Sequence, residues 1–474
     1  MIIISDAFMH RKFFGEKMAK MTTKKHEMDM CNGPLLKQIL IFTMPLMASG
    51  ILQLLFNAAD MVVAGRYAGS IALGAVGATS SLINLIINVF MGLSVGANVV
   101  IAHFYGADSK NDVFETVHTA IALAGGCGLF LLILGYFISG PALIMMATPA
   151  EILPHSTRYM QVYFLGVPML LLYNFGAAIL RAVGDTGRPL FFLIIAGIIN
   201  VILNVIFVKY LGLGVVGVAL ATVMSEAISA FLVIRALMNS DGAIKLSLRN
   251  VKIYKDKVSK IARIGLPAGF QGAVFSISNV LIQSSVNSFG AVAVAGNTAA
   301  MSLEGFVYNA MNSFHQTAIS FTGQNMGARK YDRVKRIALL CILCAAVTGI
   351  ILGGFCNIFS NQLLSLYNSE PEVVGFGQRR IVIIMSTYFL CGIMDAIVGS
   401  LRGMGYSVMP MIVSLLGACA FRIMWIYTVF AATPTPECLY VSYPLSWTIT
   451  FLVHLCCYFL IANKRLKTRR LTLL

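Results

Sequence analysis

The sequence predicts an all-α polytopic membrane protein of twelve transmembrane helices in two six-helix lobes, related by a pseudo-twofold axis along the membrane normal. Three observations carry that prediction. Of 474 residues, 58% are hydrophobic and 11% charged, whereas soluble domains carry roughly 25% charge. Apolar runs recur from Leu36 to Ile461, each near the ~20 residues that cross a ~30 Å hydrocarbon core as helix. The chain also matches itself at a fixed offset, as shown below. Twelve runs leave little chain over for a soluble catalytic domain.

Breaks in hydropathy and clusters of Gly, Pro and charge put the spans near 37–63, 71–102, 115–139, 157–180, 188–209 and 214–238, then 261–287, 293–323, 336–358, 378–401, 408–431 and 440–461. The organisation read from these is an N-terminal tail (1–36), an N-lobe (37–238), a basic linker (239–260), a C-lobe (261–461) and a basic C-terminal tail (462–474). An even number of spans puts both termini on one side. Counted loop by loop, 29 of the 35 Lys and Arg fall on that side. Five lie on the other, Arg66, Arg158, Lys209, Arg379 and Arg380, while Arg422 falls within a span. Positive charge is retained in the cytoplasm, so both termini are expected there and the protein in the plasma membrane. The net charge of +16 then reports topology and contact with anionic lipid headgroups, and no nucleic-acid partner is expected.

The opening, Met1 to Phe14, lacks the apolar core of a cleavable signal and is expected to stay as a cytoplasmic tail. Met18, Met21 and Met28 are further candidate starts. Most of the ten cysteines sit inside predicted spans, where packing is a better account than disulfides or zinc ligation. Neither cofactor nor enzymatic activity is expected: no His-Glu-x-x-His run or nucleophile with a base at helical spacing is present.

At an offset of 221, Gly69 falls on Gly290, Gly106-Ala107 on Gly327-Ala328, Leu180-Arg181 on Leu401-Arg402, Gly184 on Gly405 and Pro189 on Pro410. Pro45 pairs with Pro267 one residue out of register. Each repeat holds six spans, so the halves run in the same direction through the membrane. Parallel repeats are a transporter architecture, with a cavity expected between the lobes and transport by rocking of one against the other.

Acids inside spans are expensive and are functional candidates by default. Four qualify: Asp60, Glu226, Glu304 and Asp395. Asp60 closes the first span and suits a carboxylate that takes up and releases a proton, although a helix-end acid near the headgroups reads the same way. Asn200 and Asn204 share a face at i, i+4, and Thr222 offers a hydroxyl from the next span. Hard cations accept such oxygens, and helix-packing hydrogen bonds account for them equally well. Glu304, Tyr308, Asn312 and His315 lie near one stripe of the eighth span, and with Gln283 and Asp395 they are the candidate cavity residues. Asp395 lies seven residues before Arg402, so an ion pair is the structural alternative for it. Methionine, at 25 residues, supplies soft surface suited to varied ligands.

These motifs resemble the multidrug and toxic compound extrusion (MATE) family over essentially Leu36 to Ile461. The residues that carry the resemblance are Asp60-Met61-Val62-Val63-Ala64-Gly65-Arg66, Gly265-Leu266-Pro267-Ala268-Gly269, Thr322-Gly323-Gln324-Asn325-Met326-Gly327-Ala328 and the paired loops Arg181 to Thr186 and Leu401 to Gly405. The resemblance implies a twelve-helix, two-lobed antiporter exporting small organic, often cationic, compounds in exchange for H+ or Na+, and the protein is expected to be a monomer. It puts the cation site, for a proton or Na+, at Asp60, Asn200, Asn204 and Thr222. Many members have an aspartate where Asn204 stands, and a one-carboxylate site favours proton coupling over tight Na+ binding. One branch has a glutamate in the seventh span, and Phe270 to Asn287 contains no acid. Coupling in the C-lobe would then fall to Glu304 or Asp395.

Two alternatives compete. A lipid-linked glycan flippase of the same wider superfamily needs basic residues in its cavity, and the predicted spans contain almost none beside Arg422. A receptor or scaffold without transport does not account for the duplication.

Overall fold

The computed structural model of the chain describes residues 27–146 and 148–471. The expected tail over 1–26, with the starts Met1, Met18 and Met21, lies outside the described residues, as does the end of the C-terminal tail, 472–474. The N-lobe comprises α1 (Leu35–Ala68), α2 (Gly69–Gly106), α3 (Lys110–Met145), α4 (Leu153–Ala182), α5 (Gly187–Tyr210) and α6 (Gly214–Met238). The C-lobe comprises α7 (Lys255–Asn287), α8 (Ala291–Gly327), α9 (Tyr331–Ile358), α10, α11 (Val408–Phe430) and α12 (Pro436–Leu471). The tenth is broken into α10a (Pro371–Met385) and α10b (Tyr388–Gly403), bent by 47°.

Ten of these helices are long and apolar enough to cross a membrane, and the bent pair makes eleven. The remaining one, α8, has 37 residues but carries Asn297, Glu304, His315, Gln324 and Asn325 on buried positions. Apolar side chains such as Phe137, Met145 and Leu460 point outward, while polar ones turn inward, the arrangement hydrocarbon solvent imposes. Two predicted boundaries shift. Residues 255–260, read as linker, form the first turns of α7, where Asp256 suits the positive helix start. Residues 462–471, read as tail, continue α12.

The repeat is written in the backbone as well as the sequence. Gly69 and Gly290 have φ of 86° and 91°, Gly184 and Gly405 have 95° and 90°, and the non-glycines Asp108 and Arg329 have 54° and 59°. Every pair is separated by 221 residues. Left-handed conformation is costly for a residue with a Cβ, so its recurrence at Asp108 and Arg329 shows that both lobes close the same turn.

The lobes meet on the side carrying the basic loops. Gly92 and Gly96 of α2 lie so close to Gly265, Gly269 and Ile261 of α7 that a Cβ on either would fall on the facing backbone. Gly106 meets Gln324 in the same way. Across this seam the Thr43 and Thr317 hydroxyls are 2.8 Å apart, Ser320 Oγ donates to Asn98 Oδ1 (3.2 Å) and Gln324 Nε2 to the Ala182 carbonyl (2.7 Å). Residues 27–34 cross it as a strap. The Tyr105 hydroxyl donates to the Glu27 carboxylate (2.6 Å), Asn325 Nδ2 to the Met30 carbonyl (3.0 Å) and Lys330 Nζ to that of Cys31 (2.9 Å). The linker packs on α3, with Ser247 N–H donating to His118 Nε2 (3.0 Å), and Lys257 is ion-paired with Asp112, Glu115 and Asp256. Around Gly69 and Gly290, at the opposite ends of α2 and α8, a Cβ would meet nothing.

A side chain in the seam should therefore wedge it open. Overpacking costs roughly 1–3 kcal/mol, so Gly96→Leu is expected to raise thiol labelling of a Ser320→Cys probe in a cysteine-depleted background about 5- to 150-fold. Unchanged labelling would contradict the close approach of α2 and α7.

Candidate functional site

Each lobe holds a cavity, and Asn88 of α2, beside the seam, lines both. The N-lobe cavity, about 330 Å³, is lined among others by Gln53, Asp60, Asn84, Tyr163, Thr222 and Glu226. Its lining holds two acids and neither Lys nor Arg.

The four residues expected to form a cation site converge here. Asn204 Nδ2 donates to Asp60 Oδ1 (2.5 Å) and to Asn200 Oδ1 (3.1 Å), and Thr222 Oγ1 donates to Asp60 Oδ2 (3.3 Å). Helix α1 supplies Asp60, α5 the two amides and α6 the hydroxyl. Two of these three helices, α1 and α5, are locally widened: π-type turns run from Ala64 to Ala68, one turn after Asp60, and from Val205 to Tyr210, directly after Asn204. Such turns concentrate at functional sites because they re-aim side chains out of the regular ladder.

The arrangement discriminates between ions. With its N–H groups aimed at two oxygens, the Asn204 amide satisfies an ionised Asp60 and leaves its own buried Oδ1 without a partner. A half-turn of the amide plane exchanges N and O. Asp60, Asn200, Asn204 and Thr222 would then all present oxygen, a donor set that fits Na+. Glu226, one turn beyond Thr222, also lines the cavity, and its Oε2 is buried without a partner. Its position at i+4 from Thr222 was the available signal for grouping it with the other four.

The C-lobe cavity, about 550 Å³, brings together Gln283, Glu304, Tyr308, Asn312, His315 and Asp395, all six of the expected residues. Their roles differ from expectation. Glu304 is held by Arg380 through two bonds, Nε to Oε1 (2.6 Å) and Nη2 to Oε2 (2.7 Å), and Arg380 Nη1 reaches Asn297 Oδ1 (2.9 Å). Asn297 passes the chain on to Gln283 (3.1 Å). Arg380, expected on the outer surface, is 2% exposed inside α10a, because that helix starts at Pro371 and carries it into the bundle. The expectation of almost no basic residues in the spans beside Arg422 is corrected likewise: Arg380 and Arg402 also line the cavity.

Asp395 and Arg402 form no ion pair within 4 Å among the described residues. Asn312 Nδ2 reaches Asp395 Oδ2 (3.5 Å) and the Tyr308 hydroxyl (3.3 Å). Arg402 instead donates to Gln271 Oε1 (2.8 Å) and meets His315 Nε2 (3.4 Å). His315 Nδ1 faces the Asp395 carbonyl oxygen (2.7 Å). A carbonyl only accepts, so Nδ1 carries the proton and Nε2 accepts from the guanidinium, which makes this imidazole neutral.

A family model described as MatE matches residues 45–206 and 267–428, one stretch in each lobe. The probable multidrug resistance protein YpnP of Bacillus subtilis is 27% identical over 394 residues, covering 83% of this chain and 88% of that protein. The probable multidrug resistance protein YoeA of the same organism is 26% identical over 425 residues, covering 87% and 91%. The solved outward-facing structure of a multidrug-resistance MATE transporter of the MOP superfamily superposes with a TM-score of 0.84 at 23% identity, covering 93% of this chain and 97% of that one. Solved MATE structures thus share the two-lobe fold.

Removing one partner of a buried ion pair leaves the other charge stranded. Glu304→Ala or Arg380→Ala is expected to destabilise the detergent-solubilised protein by about 3–5 kcal/mol, and the apolar pair Glu304→Leu/Arg380→Met to recover most of that. A double variant no more stable than either single one in thermal unfolding would contradict the pairing.

Proposed function

This chain belongs to the MatE family, and from that premise we propose that it is a secondary active antiporter of the plasma membrane that exports organic compounds in exchange for H+ by alternating access. Both termini and the closed seam lie on the cytoplasmic side, and the cavities of the two lobes face outward. It works as a monomer surrounded by lipid. The observation that carries the reading is the 2.5 Å bond from Asn204 to Asp60.

Coupling follows from the donors around that carboxylate. Ionised, Asp60 accepts from Asn204 and Thr222 and ties α1 to α5 and α6. A proton arriving from the outside at Oδ1 of Asp60 turns that oxygen into a donor, and its O–H then opposes the Asn204 N–H. Relief comes from turning the amide to present the partnerless Oδ1, or from moving α1. Either response gives the two lobe states different proton affinities, the condition for an ion to drive the cycle. Na+ is the runner-up ion, since the turned amide completes an oxygen cage. Asp60 and Glu226 without a nearby cation favour organic cations in the N-lobe cavity.

The test is transport of a fluorescent organic cation in proteoliposomes, with a pH gradient and a Na+ gradient imposed separately. Transport driven by pH alone is expected, falling to the protein-free level in Asp60→Asn while the unfolding temperature is kept. Undiminished transport in that variant would remove Asp60 from the mechanism, and transport driven by Na+ alone would transfer the coupling to the runner-up ion.

A further inference from the structure

The C-lobe cavity has the opposite polarity to its neighbour. Three guanidinium groups, Arg380, Arg402 and Arg422, line it together with two carboxylates, Glu304 and Asp395. Arg380 is matched by Glu304 in a bidentate pair. Arg402 is held by a neutral amide and a neutral imidazole. Arg422 has the least: it is 4% exposed, its Nε donates to Ser446 Oγ (2.9 Å), and no carboxylate is paired with it among the described residues. Its Nη2 is buried with no hydrogen-bond partner, and so is Nε of Arg402.

A buried, incompletely bonded guanidinium is costly. Two rings offset part of that cost: Arg422 lies 4.1 Å from the Tyr443 ring centre and 5.6 Å from that of Trp447. The rings give Nη2 no conventional acceptor, so its bonding capacity stays unmet, and Arg422, Tyr443 and Trp447 all line the cavity. A guanidinium with an unmet donor matches carboxylate and phosphate oxygens, and the flanking aromatic walls match a flat apolar body.

We propose that the C-lobe cavity binds organic anions, with a carboxylate or phosphate group on Arg422 and an aromatic body against Tyr443 and Trp447. The proposal rests on the reading of these cavities as the transport route and names the substrate class of the C-lobe half. Arg422 holds the anionic group, and Arg402, on the same wall system, adds attraction at longer range. The N-lobe acids then repel the same substrate, so an anion occupies the C-lobe side and leaves Asp60 to the coupling ion. An anionic lipid headgroup shares this chemistry with a soluble anion.

The experiment uses the full chain in phosphatidylcholine nanodiscs and two probes with one ring and opposite charge, 2-naphthyl phosphate and 2-naphthylmethylammonium. Of the two tryptophans, Trp425 and Trp447, Trp447 lines the cavity and Trp425 does not, so saturable quenching of the Trp447 share of the emission reports binding beside it. The expected result is saturable quenching by the phosphate probe at a Kd at least tenfold below that of the ammonium probe, weakened about 10- to 100-fold in Arg422→Gln and partly restored in Arg422→Lys. Equal or tighter binding of the ammonium probe by the unaltered protein overturns the proposal without any variant having to fold. So does phosphate-probe affinity that is the same in a folded Arg422→Gln. Repetition in phosphatidylglycerol nanodiscs distinguishes the sources: unchanged affinity assigns the site to soluble anions, and competitive loss assigns it to a lipid headgroup. Binding needs no ion gradient. Failure here with pH-driven transport intact therefore sinks only this inference, whereas anion binding without coupled transport of either probe sinks only the antiport reading.

Discussion

The close approach of α2 and α7 through Gly92, Gly96, Gly265 and Gly269 is the contact on which the rest of the structure depends. In lipid there is little hydrophobic drive to bring two lobes together, so contact relies on dispersion between backbones that only small residues allow to touch. The seam is confined to the end of the bundle that carries the basic loops, and the strap from Glu27 to Pro34 fastens it there. The two cavities lie one in each lobe and share Asn88 of α2, next to Val89 on this contact. A seam of van der Waals contacts and a few hydrogen bonds, with no ion pair across it among the α2–α7 contacts described above, is also one that can be exchanged for a matching seam at the opposite end.

Polar groups inside the bundle divide into those that hold it together and those left over. Glu304 and Arg380 neutralise one another, and Asn297, Gln283 and Tyr440 take up the remaining bonds. That cluster anchors α10a to α8 and α12. Among the buried groups without partners, Glu226 Oε2, Arg402 Nε and Arg422 Nη2 belong to residues that line the two cavities, and Asn204 Oδ1 to the residue that holds Asp60. Unmet bonding capacity in an apolar medium is costly. The acidic character of one cavity and the basic character of the other follow from the same division.

Much of this was legible in the sequence. Hydropathy finds eleven of the twelve helices, one of them as a bent pair, because hydrocarbon demands length and apolarity from each separately, and α8 falls short because of its buried polar residues. The 221-residue offset finds the two lobes because glycines and left-handed turns recur at equivalent corners. Asp60, Asn200, Asn204 and Thr222 could be grouped because helical spacing and family resemblance both point to them, and the structure brings them within hydrogen-bond reach. Arg380 was not legible. Next to Arg379 in a polar break it reads as a surface loop, and only the tertiary partner Glu304, 76 residues away, makes its burial affordable. Glu304 lines the cavity as expected, but its partner was not legible for the same reason: an acid in a span announces that it matters, and the arginine that holds it comes from a helix that hydropathy cannot place beside it. Arg402 was seen as a partner for Asp395, seven residues away on its own helix, whereas the fold turns it toward Gln271 and His315.

The central claim is that occupancy of Asp60 sets which end of the bundle is shut. The most direct measurement is the distance distribution between spin labels placed on the two lobes at the basic-side turns, at Asp108→Cys and Arg329→Cys in a cysteine-depleted chain, recorded in nanodiscs as pH is lowered with Na+ absent. The account predicts that the population with these turns close together changes as protons bind, and that Asp60→Asn holds one distribution at every pH. A distribution that shifts with pH equally in both proteins, or in neither, would contradict it.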